Sequence, residues 1–435
     1  MSFKSRLLNI LFWSVISAAF IGPGTVTTAA KAGADFGLPL LWALTFATIA
    51  CLVLQEASAR LTIASGMNLG QAIWKQAVSG RRGNYILVLV AICILSGTAA
   101  YQAGNLLGAM AGTSLLIPLP PWMVVLVIGL IAAAILFIPS IKIIARVLGS
   151  LVAFMGITFL VTAIAISPPI PDVIMGLIRP TIPLNPGGGL LVLGLIGTTV
   201  VPYNLFLGSG ISTGQSIKQM RSGLVVAIVL GGIISMAVLV TGTAMTGDFT
   251  FPALAVTLDN YLGGAGTIIL GVGLFAAGFT SAVTAPLASA VTVRSLFGNR
   301  DPQKWESNSW RFRLVWGIIL LTGMAFGMAG FKPVPAIIVA QALNGLILPV
   351  IAVFLFLVVN NPQIMKNSHN SLPANILMTL VVFISLLIGI AGLIRAVATG
   401  MEMDTGDLRM TILGVAGAAV IIMGIVIYRI SLLHK

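Results

Sequence analysis

Long apolar runs separated by short polar breaks set the pattern of this chain. Runs long enough to cross a bilayer fall at roughly 8–33, 38–63, 84–112, 122–140, 144–167, 188–215, 222–246, 264–293, 312–330, 334–359, 373–398 and 410–431. About twelve transmembrane helices are therefore expected, in one all-α polytopic domain over 1–435. Two of the runs carry breakers in the middle. The stretch "SAAFIGPGTVTTAAKAG", Ser17 to Gly33, places Gly22, Pro23 and Gly24 inside the first run. Pro23 removes a backbone donor and crowds the preceding turn. The stretch "LIGTTVVPYNLFLGSG", Leu195 to Gly210, places Pro202 in the middle of the sixth, among Thr198, Thr199, Tyr203 and Asn204.

A membrane helix must satisfy its own backbone, so a break survives only when buried in protein or facing a water-filled cavity. The first break lies in span 1 and the second in span 6. That offset sends the two broken helices across the membrane in opposite directions. An inverted five-plus-five repeat gives this arrangement, with repeats at about 8–167 and 188–359 and further helices at 373–398 and 410–431. A substrate site is then expected between the breaks at mid-membrane. Ordinary proline kinks would be the alternative for either break alone.

Composition agrees with the pattern. The 435 residues are 58% hydrophobic and 8% charged, against about a quarter charged in soluble domains. The net charge of +13 could suggest nucleic acid, but its distribution argues against that. With the N-terminus inside, 18 of the 23 Lys and Arg fall on the cytoplasmic side; only Lys31, Arg179, Lys332, Arg395 and Arg409 fall outside. Both termini are expected in the cytoplasm, in the inner membrane of a prokaryote. No cleavable signal peptide is read in the first run. Cys51 and Cys93 lie within spans and imply no disulfide framework. The longest loops, near 168–187, 247–263 and 299–311, leave no room for a soluble domain, and no GxxxxGK[ST] phosphate loop occurs. An ATP-driven pump is excluded. His369 and His434 sit in a loop and at the terminus with no catalytic motif around them, so an enzyme is not expected.

Four stretches together resemble the NRAMP family of metal-ion transporters. "GPGTVTTAAKAGADFGLPLLW" is similar to the family's first span, with its Asp-Pro-Gly-Asn motif and later Leu-Leu-Trp. "GTTVVPYNLFLGS" resembles the sixth span, "AAGFTSAVTAPLASAV" the eighth, and "AQALNGLILP" the Ser-Gln…Pro stretch of the tenth. The resemblance covers spans 1 to 10. It implies a LeuT-like fold with broken helices 1 and 6, and metal-ion transport coupled to protons.

The departures fall on the chemistry. The resemblance places metal ligands at an Asp and an Asn of span 1, and at a Met and a carbonyl of span 6. Here those positions are Gly22, Thr25, Val201 and Thr198; a following His is Tyr203, and a later one is Gly208. The family's proton-carrying acids of span 3 correspond to Gln102 and Asn105. The Gln of span 10 persists as Gln341. Transition-metal selectivity rests on sulfur, imidazole or carboxylate, and none remains. The substrate-binding set expected is Gly22, Gly24, Thr25, Thr198, Val201, Tyr203 and Gln341. Gln102, Asn105, Asn204, Thr280 and Ser281 are expected along the cavity or coupling pathway. Any coupling ion would be Na⁺ or H⁺, with Na⁺ held by hydroxyls and carbonyls near Thr280, Ser281 and Thr284; no other cofactor is implied.

Each of these residues also has a bland reading. Threonine hydroxyls cap half-helices, and amides in apolar spans tie helices together. Lys31 either adds positive field to the outer vestibule or extends to the surface. Glu56 and Arg60, one helical turn apart, read as a structural ion pair, with a proton relay as the alternative. Small residues at four-residue spacing in "GNLLGAMAG", Gly104 to Gly112, read as close helix packing. The function expected is secondary transport by alternating access. From sequence alone, the neutral site and a half-helix N-terminus favour a small anion or polar solute, such as a carboxylate or bicarbonate. A divalent, largely hydrated cation comes second, and a non-transporting receptor third. No selectivity filter is read, which disfavours a channel. Partners reduce to a small solute or ion and the bilayer, without nucleic acid.

The charge asymmetry predicts that a protease-cleavable tag at either terminus is cut in inverted membrane vesicles and protected in right-side-out ones. Cleavage in right-side-out vesicles would reverse the assigned orientation.

Overall fold

The computed structural model describes residues 13, 21–78, 83–138, 142–183, 187–298, 301–400 and 408–433. It is all helical over these residues. The helices are α1 (Pro23–Phe36), α2 (Leu41–Ser65), α3 (Leu69–Val78), α4 (Gly83–Leu116), α5 (Pro121–Leu136), α6 (Lys142–Ile166), α7 (Ile170–Ile178), α8 (Gly188–Thr199) and α9 (Pro202–Ile211). They continue with α10 (Ile217–Thr243), α11 (Phe251–Leu262), α12 (Gly266–Phe297), α13 (Trp310–Met328), α14 (Pro333–Val359), α15 (Pro362–Met365), α16 (Leu372–Gly400) and α17 (Leu408–Leu433).

Nine helices among the described residues are long and apolar enough to cross a bilayer, with the α8–α9 pair counted as one. Two shorter apolar helices, Pro121–Leu136 and Ser150–Ile166, add to them, and α1 is the second half of the first expected span. The spans expected from hydropathy are therefore present to within a few residues. Residues 8–20 of the first expected span lie outside the described residues apart from Trp13, as do His434 and the charges of 401–407.

The loops hold more structure than hydropathy shows. α3, α7 and α11 are short helices in segments expected to be irregular. Each is below spanning length, so a hydropathy window passes over it. Side-chain capping starts two of them, α3 through Asn68 and Gln71 and α11 through Thr250. The Thr250 hydroxyl accepts from Ala253 N–H at 3.1 Å at the start of α11, and Gly263 ends it in the left-handed region at φ 66°. Asp259, at the end of α11, accepts from the Thr267 amide at 3.0 Å and its hydroxyl at 2.6 Å. Those donors hold the Asp259 carboxyl below its ordinary pKa.

α4 pairs most extensively with α12 and also packs on α13 and α14. α1 is held between α10, α14 and α8. The α1–α10 crossing depends on missing side chains. A Cβ on Gly33 would overlap the Leu239 carbonyl, and one on Gly242 would overlap the Ala30 carbonyl. Backbones approach this closely only at small residues. α2 and α9 run side by side in the same direction. Ser58 Oγ donates to Leu205 O at 2.7 Å, and the Thr62 and Ser209 hydroxyls meet at 2.6 Å.

Charge is confined to the ends. Glu56 pairs with Arg60 at 3.1 Å, the turn-apart pair expected from sequence. It also binds Arg221 of α10 at 2.7 Å. The Arg60 guanidinium, 5% exposed, donates further to Ser368 O and Asn370 Oδ1. Asn370, Asn375 and Asn360 then extend the chain of hydrogen bonds to Phe356 O. One polar layer thus joins α2, α10, α14 and α16 at the end assigned to the cytoplasm.

If the α1–α10 contact sets the crossing, Gly242→Leu should lower the melting temperature sharply in detergent, by overpacking of about 1–3 kcal/mol or more. Gly317→Leu, in a helix with open space around the position, should leave it nearly unchanged. Equal effects would remove the special status of that crossing.

Candidate substrate site at the helix breaks

Two prolines start the two half-helices that meet at the centre. Gly22 is extended at φ −129°, ψ −172°, Pro23 opens α1, and no side chain caps that end. In span 6, α8 ends at Thr199, Val200 and Val201 leave helical geometry, and Pro202 opens α9, again without a side-chain cap. A proline at the first helical position costs no hydrogen bond, because that amide has no intrahelical acceptor. Val26 N–H reaches back to Gly22 O at 3.1 Å and Asn204 N–H to Val201 O at 3.0 Å, while the earliest amides of α1 and α9 and the last carbonyls of α8 lie outside the regular helical ladder. They bring two positive and one negative helix end to the breaks.

The two breaks touch. The hydroxyls of Thr25 and Thr198, 173 positions apart in sequence, lie 2.8 Å from each other. Gln341 of α14 packs over Gly24, where any Cβ would overlap its side chain. A Cβ on Gly104 of α4 would sit 3.8 Å from Gln341 Nε2, and one on Gly197 of α8 would overlap Gln341 O. Thus α1, α4, α8 and α14 all close on Gln341, which is 1% exposed and whose Oε1 has no hydrogen-bond partner. From the Gly22 Cβ position, Ser281 Oγ of α12 is 3.7 Å away and the Tyr101 hydroxyl 3.8 Å. Tyr203 meets Tyr101 edge to face, with ring centroids 5.7 Å apart.

Gly22, Gly24, Thr25, Thr198, Gln341 and Ser281 are therefore brought together, with Tyr203 joined through Tyr101. Val201 is buried at the break but offers no ligand atom from its side chain. Gln102 turns toward α12, where its Nε2 donates to Ala282 O at 3.0 Å. That is the helix-tying role, and it leaves Oε1 buried without a partner. Asn105, also facing α12, keeps an unpartnered Nδ2, and Asn204 has neither amide atom paired. The Thr280 hydroxyl donates to Ala276 O at 2.7 Å within its own helix, and that of Thr27 to Pro23 O at 2.7 Å. Tyr101 was not singled out from sequence. A hydroxyl-bearing ring beside Gln102 in an apolar span was the available signal, since a buried tyrosine oxygen needs a polar neighbour.

Above the breaks, α1, α8 and α14 enclose a cavity of about 290 Å³ whose lining includes Lys31, Asp35, Leu191 and Ile338. Lys31 is paired with Asp35 at 2.8 Å, so its field at the cavity is largely cancelled. Below it, Thr28, Gly194 and Gln341 press together: a Cβ on Gly194 would sit 2.9 Å from Thr28 Cγ2 and 3.8 Å from Gln341 Cβ. The site is closed from that side. Among the described residues, no three His, Cys, Asp or Glu side chains group as a metal cluster.

A family profile described as natural resistance-associated macrophage protein-like matches residues 14–395. The divalent metal cation transporter MntH of Erwinia tasmaniensis is 24% identical over 384 residues, 85% of this chain and 89% of that protein. Among solved structures, the Eremococcus coleocola manganese transporter in complex with an aromatic bis-isothiourea substituted compound superposes with a TM-score of 0.75. It shares 19% identity, with 99% of this chain and 96% of that chain covered. Mhp1, a nucleobase-cation-symport-1 family transporter, in a closed conformation with bromovinylhydantoin bound, superposes at 0.58 with 15% identity, covering 97% of this chain and 92% of that one. These likenesses give the LeuT-like fold.

The Thr25–Thr198 contact predicts a coupling of about 0.5–1.5 kcal/mol between Thr25→Val and Thr198→Val in a double-mutant cycle of unfolding stability. Strict additivity would mean that the two hydroxyls do not bond.

Proposed function

Because this chain belongs to the natural resistance-associated macrophage protein-like family, we propose that it is a secondary transporter working by alternating access on a divalent metal cation. The observation that carries the reading is the buried, unpartnered Oε1 of Gln341 beside the Thr25–Thr198 pair. An acceptor held in that state calls for a cation or a donor. The hydroxyl oxygens and the last carbonyls of α8 add neutral oxygen ligands and a negative helix end. Relatives named as divalent metal cation and manganese transporters support the cation. They reverse the order that the sequence alone favours, in which a small anion ranks first.

The donor set shapes what kind of cation. Hard divalent ions accept oxygen ligands, and the smaller ones keep several of their waters. A fully dehydrated ion would meet no carboxylate here, and burying its charge would cost many kcal/mol. The ion therefore keeps part of its water shell. Selectivity for soft transition metals is lost, since Val201 stands where a thioether would be. Among the described residues proton coupling has no buried carboxylate to use, and Glu56 is held by Arg60 and Arg221. The second reading, a small anion or polar solute, is favoured by the uncapped N-termini of α1 and α9 at the breaks.

Uptake into proteoliposomes distinguishes the readings. Mg²⁺ and Mn²⁺ should both enter, without acceleration by an inward proton gradient, and Gln341→Leu should cut the flux about tenfold or more. The pair Gly22→Asp and Val201→Met should shift preference toward Mn²⁺. Bicarbonate or acetate flux with no divalent flux would instead establish the second reading. Substrate binding without any flux would make the protein a receptor.

A further inference from the structure

Away from the helix breaks, a shallow, wide-open groove runs along one side of the start of α10, lined by Ile217, Lys218, Arg221, Ser222 and Val225. These positions recur at intervals of one, three and four residues, so they share one helix face. The face is firmly built. A capping box fixes the first turn, with Gln219 N–H donating to Ser216 Oγ at 3.3 Å and Ser216 N–H to Gln219 Oε1 at 3.4 Å. Lys218 is exposed, and among the described residues no carboxylate pairs with it.

The same face continues along the helix into the membrane as exposed apolar residues: Val225, Val226, Val229, Leu230 and Ile233. Cations at one end and an apolar stripe running away from them match one kind of molecule. An anionic phospholipid joins a negatively charged phosphate headgroup through glycerol to acyl chains, and basic pockets on the cytoplasmic side recognise such headgroups. Local charge agrees. Arg221 and Arg60 share a single carboxylate, Glu56, and Lys218 adds a third cation with no paired carboxylate among the described residues, so this end of α10 keeps a positive excess. Charge distribution along the sequence independently assigns this end of α10 to the cytoplasm.

We propose that this groove binds the phosphate headgroup of an anionic phospholipid, through Lys218 and Arg221, with an acyl chain laid along Val225 to Ile233. Arg221 is 56% exposed in its side chain while its guanidinium holds Glu56. One face of that group is therefore left for the lipid. The same side chain links the headgroup to the polar layer that joins α2, α10, α14 and α16, so lipid composition reaches α2 and α14, which pack against the half-helices at the second break.

Native mass spectrometry of the full chain, incubated with phosphatidylglycerol or with phosphatidylcholine of the same acyl chains, tests this. Phosphatidylglycerol should be retained at least fivefold more. Lys218→Glu should reduce it to the phosphatidylcholine level, with Lys218→Gln as the milder variant if the first one misfolds. Leu230→Ser should weaken retention several-fold without altering elution of the protein. Equal retention of the two lipids, or no effect of either Lys218 variant, would overturn the proposal. Displacement of the lipid by millimolar glycerol phosphate, with Leu230→Ser silent, would overturn it in favour of a soluble phosphate ligand.

Discussion

A peptide backbone inside a bilayer has no water to bond with, and the rest of this structure depends on how that constraint is met at two places. Unwound chain at Gly22 and at Val200–Val201 would be untenable against lipid. The fold places both breaks at the centre, against each other and under Gln341. Prolines open the following half-helices, where a missing amide costs nothing. Glycines at 24, 104, 194 and 197 let four helices close on that point. The breaks thus become a concentrated set of helix ends and hydroxyls, shielded on every side by apolar packing.

Electrostatics then determine what such a site can hold. A carboxylate at mid-membrane would supply the charge that a divalent ion needs when it leaves water. Here oxygen atoms without formal charge take that place, and the chain keeps its charges at the membrane ends. Lys31 with Asp35 guards the outer cavity as a neutralised pair, and Glu56 with Arg60 and Arg221 anchors the opposite end. In the function proposed above, such a site would trade tight, selective binding of a bare ion for looser handling of a solvated one. Weak binding also suits release, since a substrate held only by dipoles leaves without a protonation step.

The anchoring layer has a mechanical side. Arg60 is almost fully buried, and its guanidinium is shared among a carboxylate, a backbone carbonyl and an amide. A buried cation so fully bonded is costly to strand, because loss of one partner leaves charge in a poor medium. Movement of α2 or α10 relative to the segment around Asn370 must break or carry this set as a unit. The proposed alternating access would therefore work against a defined polar lock at one end and a small apolar closure, Thr28 on Gly194, at the other.

Sequence alone determined the number and limits of the spans, the two breaks and the neutral character of the site. Each rests on a local property: hydropathy over about twenty residues, a proline in an apolar run, or a side chain's own chemistry. The family resemblance placed Gln341, Thr25 and Thr198 at the site, and helix spacing alone paired Glu56 with Arg60. Only the tertiary structure decided which of the polar residues share the site. Gln102 turns to Ala282 and ties helices, Tyr101 enters beside Gly22, and Arg221 joins Glu56 from 165 positions away. Periodicity along a helix says which face is polar, but the long spanning helices here are apolar nearly all round, so the pattern says little about their neighbours. Those neighbours were set by where backbones could approach, at Gly33 against Leu239 and Gly24 against Gln341, and a contact between distant glycines and their partners is written nowhere in the local sequence.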